Sequence, residues 1–164
     1  MTTEAIDPSS LSLDELRALR AKLQSDDDAV SYVRRLTQVR LDLARAELAH
    51  RADGDDLSIT KELPAILGSH LVGGAARPPR PTDDLSEHPL AVALDELCRD
   101  KGSADLTSLS LEELQDYVRA LHEFEQARSG ERKDLFTRID ALSAELVRRY
   151  RDGEANVDGL LGDD

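Results

Sequence analysis

Ser12-x-x-Glu15 and Ser110-x-x-Glu113 each stand just ahead of a run in which apolar residues return at three- and four-residue intervals. That is the spacing of a helix face, and the Ser/Glu pair is a capping box whose reciprocal bonds satisfy the orphan amides of a helix start. The pattern predicts a short helix of about three turns in each case, over 12–24 and 110–122. In the first half, Ser25-Asp26-Asp27-Asp28 then predicts the start of a second helix, with acid side chains at the positive end of its dipole. Arg51 and Gly54 would end it, so residues 26–52 make one helix about 40 Å long. In the second half the corresponding helix is expected from about Glu123 to Arg151, before Gly153. Gly130 inside it costs about 1 kcal/mol relative to Ala, which points to a close approach at that position.

The two long helices share a layout. With Asp27 as zero and about 100° per residue, Ser31, Arg34, Gln38 and Asp42 fall within about 60° of it on one polar stripe. Val30, Val33, Leu36, Leu41, Leu43 and Leu48 occupy the neighbouring arc. Leu121, Phe124, Leu135, Ile139, Leu142 and Leu146 form the matching apolar set of the second helix. Two such helices can zip through these arcs and leave their polar stripes side by side along one groove.

The likeness is a duplication. Shifting the sequence by 98 residues aligns positions 7–48 with 105–146 without a gap, with 16 identities in 42 positions. Two copies separated by a long unlike segment fit an internal duplication better than a solenoid, and predict two similar helical units about a pseudo-two-fold axis. The shifted stripe reads Glu125, Ser129, Arg132, Phe136 and Asp140, so four of its five positions keep their chemical type. Val33, Leu36 and Leu43, by contrast, align with Glu131, Asp134 and Ala141. The polar face was held more closely than the packing face.

Composition narrows the class. The 164 residues carry a net charge of −13 and are 34% charged and 3% aromatic, with no Trp. Leu, Ala, Glu and Arg are strong helix formers and β-branched runs are absent, which predicts an all-α protein. The acidic balance opposes generic nucleic-acid binding, so no direct DNA contact is expected, and no stretch approaches the roughly 20 apolar residues of a membrane span. Cys98 alone cannot form an internal disulfide, and the first residues lack a basic region followed by an apolar run. A cytoplasmic location is the expectation. Charge is not spread evenly: residues 27–51 and 125–151 together carry +3, leaving −16 elsewhere.

Arg donates bidentately to the O6/N7 edge of guanine or stacks on a base, and a carboxylate accepts from guanine's amino and imino hydrogens. Ser hydroxyls and Arg forks suit phosphate oxygens. Presented twice about a two-fold axis, this set suits a two-fold-symmetric guanine dinucleotide.

The stripe resembles the repeated signature E-x3-S-x2-R-x3-Q-x3-D of the RsiG-type anti-sigma factors of actinobacteria. The first copy reads Asp27-x3-Ser31-x2-Arg34-x3-Gln38-x3-Asp42 and the second Glu125-x3-Ser129-x2-Arg132-x3-Phe136-x3-Asp140. Asp replaces Glu once, Phe replaces Gln once, and both spacings are intact. The resemblance implies an antiparallel coiled-coil helical hairpin that binds cyclic di-GMP, as a dimer of that nucleotide, and thereby holds the sporulation sigma factor WhiG away from RNA polymerase. It also implies Arg34 and Arg132 on guanine or phosphate, Asp42 and Asp140 on guanine edges, and Ser31 and Ser129 on phosphate or ribose, with Asp27, Glu125 and Gln38 completing the frame. Phe136 can fill packing, meet a partner or stack on a base, but cannot replace the hydrogen bonds of an amide. The antiparallel sense comes from the resemblance alone, since the linker spans either pairing.

The remaining candidates are bland. Glu47-x-x-His50 has di-iron spacing, but the repeat supplies Glu145-x-x-Arg148 in place of a second pair, and no metal site is expected. His70, His88 and His122 lack ligand partners at useful spacing, Cys98 reads as a small buried or half-buried side chain, and no nucleophile, base and orienting group converge. An enzyme is not expected. The organisation is a first repeat over 1–52 (short helix plus motif helix), a linker over 53–107 with short helices at 61–72 and 90–100 and flexibility around 73–84, a second repeat over 108–151, and an acidic tail over 152–164 expected to be disordered. Two other functions remain open: a coiled-coil scaffold or adaptor without a small ligand, and a cyclic di-GMP effector with a different protein partner.

Overall fold

A computed structural model of the chain describes residues 7–53, 68, 84–102 and 105–153. Among these the protein is all-α, with three helices: α1 (Leu13–Asp53), α2 (Pro89–Lys101) and α3 (Leu111–Arg151). One 3-10 turn, Pro8–Ser10, precedes α1 and another, Leu106–Ser108, precedes α3. Both capping boxes form. The Ser12 amide donates to Glu15 Oε2 (2.8 Å) while the Glu15 amide donates to Ser12 Oγ (3.3 Å), and Ser110 and Glu113 exchange the same bonds at 2.8 and 3.2 Å. Upstream of each, Asp7 and Asp105 accept from the amides of Ser9 and Thr107, so the cap region repeats down to its hydrogen bonds.

The expected breaks at 24–26 and 122–123 are not there: each short helix and the motif helix after it are one 41-residue helix. Ser25 and the three aspartates after it are modest helix formers, but each costs only about 0.5 kcal/mol relative to Ala. Leu23, Ala29 and Val30 on either side are buried at 3% exposure or less, and that packing outweighs the local preference to stop. The acids that read as a helix start therefore lie mid-helix. The second helix ends as expected, with Gly153 at φ +74° just past Arg151. Gly130 does not mark a close approach, since a methyl group there would meet nothing within 4 Å.

The chain forms two compact units that cut across the repeats. One comprises residues 1–28 with 132–164, the other residues 29–131. In the first, Arg17 donates to the Tyr150 hydroxyl (2.6 Å) and Arg20 to the Ser143 hydroxyl (2.9 Å), while Asp27 faces Arg132 (3.6 Å). Ascending numbers on α1 meet descending numbers on α3, so the helices are antiparallel there. Leu16, Leu23, Leu135, Ile139, Leu142 and Leu146 are its buried apolar residues.

In the second unit α1 and α3 are again antiparallel, with Arg34 against Glu125 and Arg51 against the carbonyls of Leu109 and Leu106. Here α2 adds a third layer. His88 caps it by accepting from the Leu90 amide, and Ala91 and Leu94 enter a core with Val33, Leu41, Ala44, Leu114, Tyr117 and Leu121. Helix α2 corresponds to the expected segment at 90–100. The segment at 61–72 apart from Gly68, the region around 73–84 apart from Asp84, and the tail beyond Gly153 lie outside the described residues. No described helix is long and apolar enough to cross a membrane.

Candidate functional site

Each unit draws its polar cluster from both repeat copies. In the unit of residues 29–131, the centre is Glu125 of α3, a carboxylate only 7% exposed. Its Oε1 accepts from the Ser129 hydroxyl (2.8 Å) and the Gln38 amide (3.2 Å), and lies 3.5 Å from Arg34 Nη1. Gln126 donates to Oε2 at 3.2 Å. A carboxylate removed from water costs several kcal/mol unless it is paired and hydrogen-bonded, and these four donors are what make its burial tolerable. Arg34 itself is three-quarters buried, and its Nε is buried without a hydrogen-bond partner among the described residues. Ser31 and Asp42, both half-buried on α1, lie in the same unit.

In the unit containing residues 1–28 and 132–164 the equivalent cluster is smaller. Asp27 Oδ1 faces Arg132 Nε at 3.6 Å. Where an amide reaches the carboxylate in the other cluster, Phe136 stands here, 38% exposed, with the Arg132 guanidinium carbon 4.5 Å from its ring centroid. That contact is a cation–π stack, in which the cation rests on the electron-rich face of the ring. Asp140, one turn further along α3, is exposed.

The acid opening one motif copy thus meets the arginine of the other copy, once in each unit. Each cluster consequently mixes the two motif copies. Arg34 and Gln38 of the first copy join Glu125 and Ser129 of the second, whereas Asp27 of the first joins Arg132 and Phe136 of the second. Asp27 and Phe136 belong to different copies of the motif, yet both lie against Arg132 in one cluster.

The RsiG-like family model matches residues 2–67 and 100–162. The chain belongs to the RsiG-like family. Membership points to an anti-sigma factor, regulatory rather than catalytic, with a sigma factor as its partner. No curated protein matches the chain. The ten stripe positions all lie within the matched ranges of the RsiG-like model, as do both capping boxes.

Several contacts escaped the linear reading. Arg51 reaches from the end of α1 to the carbonyls of Leu109 (2.7 Å) and Leu106 (2.8 Å), holding the turn that precedes α3. Arg149 does the same from α3, donating to the carbonyls of Ser9 (3.1 Å) and Pro8 (3.4 Å) ahead of α1. Each arginine is steered by a glutamate one turn earlier, Glu47 and Glu145, both at 2.7 Å. Glu47, whose spacing to His50 is that of a di-iron pair, is 3% exposed and serves this clamp. Carrying the 98-residue offset three positions beyond Leu48 would have found the second arginine, since Arg51 aligns with Arg149. The two Arg148 and Arg149 guanidinium groups hold the Glu145 carboxyl well below its usual range, at about 2.

Cys98 is half-buried, as expected, but it is not idle. Arg40 and Tyr117 both direct donors at its sulfur (3.2 and 3.3 Å), and Arg40 also pairs with Asp95 of α2 (2.8 Å). Burial and the bond to the thiol push the Tyr117 hydroxyl pKa up. This network fastens α2 to α1 and α3 within its unit.

Proposed function

We propose that the protein is a cyclic di-GMP-dependent anti-sigma factor that sequesters the sporulation sigma factor WhiG from RNA polymerase in the cytoplasm. The observation that carries the reading is the pair of Arg/carboxylate clusters, each built from both copies of the repeated motif and supplied with hydroxyl, amide or aromatic neighbours. Asp27, Ser31, Arg34, Gln38, Asp42, Glu125, Ser129, Arg132, Phe136 and Asp140 would hold the nucleotide, taken up as a dimer.

The physical chemistry is an exchange of partners. In the free protein the arginines and carboxylates of the clusters are bonded to one another, so a guanine edge must replace contacts already made. Guanine offers both signs at once: O6 and N7 accept from an arginine, and N1–H and N2–H donate to a carboxylate. A ligand of that pattern separates an ion pair while leaving neither member buried and unsatisfied. The nucleotide then adds contacts to both proteins, and linkage requires WhiG to raise nucleotide affinity by the factor by which nucleotide raises WhiG affinity.

Calorimetry with cyclic di-GMP, alone and then with WhiG present, tests the proposal. Heat with nucleotide and a tighter nucleotide affinity in the presence of WhiG are expected. No heat in either titration leaves a scaffold or adaptor; heat with nucleotide but no effect of WhiG leaves an effector of some other partner.

A further inference from the structure

The unit of residues 1–28 and 132–164 carries a second concave feature besides its polar cluster. Arg17 and Arg20 of α1 and Ser143, Leu146, Val147 and Tyr150 of α3 line an open groove of about 370 Å³. The α3 side of it is largely apolar: Leu146 is buried, while Val147, at 64% exposure, is the most exposed large apolar side chain among the described residues. The α1 side is cationic. Arg17 donates to the Tyr150 hydroxyl (2.6 Å), with its guanidinium carbon 5.8 Å from the ring centroid, and Arg20 donates to the Ser143 hydroxyl (2.9 Å). These cations are poorly neutralised. The carboxylate beside Arg17 is Asp14, at 3.4 Å and with a side chain 94% exposed, an ion pair worth little in water. Arg20 meets a hydroxyl and no carboxylate among the described residues, a local exception in a chain of net charge −13.

The groove is not a by-product of the duplication. Shifted by 98, Arg17 and Arg20 become Gln115 and Val118, and Val147 and Tyr150 become Ala49 and Ala52. Arginine and tyrosine beside exposed apolar surface make up the centre of a protein contact rather than a solvated face. The other unit shows what an α1–α3 pair of this chain accepts: helix α2 sends Ala91 and Leu94 into the core there and pairs Asp95 with Arg40 (2.8 Å). Helix α2 belongs to that unit alone. Position matters too. Ser143 and Val147 follow Phe136 by seven and eleven residues, which puts them within about 20° of it around α3 and about 10 and 16 Å further along its axis. The groove therefore continues the face that bears Phe136, and a protein laid over the cluster of Asp27, Arg132 and Phe136 lies over the groove as well.

We propose that this groove docks an acidic amphipathic helix of the sigma factor, its apolar residues on Leu146, Val147 and Tyr150 and a carboxylate on Arg20. The incoming acid supplies the counter-charge that Arg20 lacks, as Asp95 of α2 does for Arg40 in the other unit. This rests on the anti-sigma reading above and gives the partner a direct protein contact separate from the nucleotide.

The test measures WhiG binding to the full chain by calorimetry at saturating cyclic di-GMP, and separately titrates cyclic di-GMP into each variant without WhiG. Arg20→Glu and Val147→Asp are each expected to weaken WhiG by about tenfold or more, while nucleotide affinity stays within about twofold of the parent. Val147 is exposed, so Val147→Asp is expected to keep its helix content by circular dichroism. Ala49→Asp, at the duplicate position, is expected to change neither affinity. With p-benzoylphenylalanine in place of Val147, photo-cross-linking is expected to capture an acidic amphipathic helix of WhiG, and reversing the charge of its acid is expected to restore binding to Arg20→Glu. A cross-link only to residues 154–164 of the same chain, or only to a second copy of it, overturns this inference. So does an unchanged WhiG affinity in both Arg20→Glu and Val147→Asp, and either result leaves the nucleotide reading standing. A parent that does not bind WhiG at saturating cyclic di-GMP overturns the proposed function, and this inference falls with it.

Discussion

Arg34 lies 3.5 Å from Glu125, joining the arginine of the first motif copy to the acid of the second. The buried end of this pair is the carboxylate, so its two members should respond differently to removal. Arg34→Ala leaves a 9%-exposed carboxylate side chain short of its cation and is expected to cost about 1–3 kcal/mol. Glu125→Gln keeps the shape and removes the charge, and is expected to cost less. Urea denaturation of both variants measures the difference. Under the proposed cyclic di-GMP reading, each is expected to lose at least an order of magnitude in nucleotide affinity, because one partner of a guanine edge is removed.

The paired clamps predict an unequal response as well. Arg51→Ala removes two short bonds to the carbonyls of Leu106 and Leu109 and strands Glu47, whose side chain is 4% exposed, at an expected cost of about 2–4 kcal/mol. Arg149→Ala removes two longer bonds and leaves a more accessible glutamate that still has Arg148, so its loss is expected to be the smaller. Thermal melts of the two variants order them.

Acid stability follows from the carboxylates of these features. The Glu145 carboxyl is depressed from 4.5 to about 2 by its two arginines, and those of Glu15 and Glu113 are lowered by bonds with Ser12 and Ser110. A carboxyl whose folded value lies below its unfolded one contributes stability that is complete above the unfolded value and lost as the pH falls through the folded value. Melting temperature is therefore expected to hold above about pH 5 and to decline from there toward pH 2. Glu145→Gln should flatten that decline, and a melt series with unchanged slope would show that the pairing contributes nothing.

The glycines offer a contrast inside one fold. Gly130→Ala fills open space on an interior turn of α3 and is expected to stabilise by about 1 kcal/mol. Gly102→Ala places a methyl 2.7 Å from the Cys98 carbonyl oxygen and 2.8 Å from the Tyr117 ring, so it is expected to destabilise and to loosen α2. Hydrogen exchange along α2 distinguishes the second effect from global weakening.

Much of this architecture is written in the linear sequence. The capping boxes, the apolar sets around Val33 and Leu121, and the helix stop at Gly153 follow from short-range rules that the structure obeys. The expected break near Ser25 failed because propensity is weaker than the burial of Leu23, Ala29 and Val30 around it. Residue spacing picked out Asp27, Arg34, Gln38, Glu125, Ser129, Arg132 and Phe136, which the structure gathers into the two clusters, but did not sort them. Which acid meets which arginine depends on the antiparallel register, and spacing within one helix carries no information about that. The role of Arg51 was hidden for a related reason: its partners are main-chain oxygens 55 and 58 positions away, which leave no trace in side-chain pattern.

The reach of Arg51 and Arg149 has one further result. The latch for the turn that opens the second repeat hangs from the first, and the latch for the turn that opens the first hangs from the second. A peptide carrying either repeat by itself would own a bolt with no keeper and a keeper with no bolt. Cutting the polypeptide between the repeats should accordingly yield two pieces that fold in each other's company and unravel when separated.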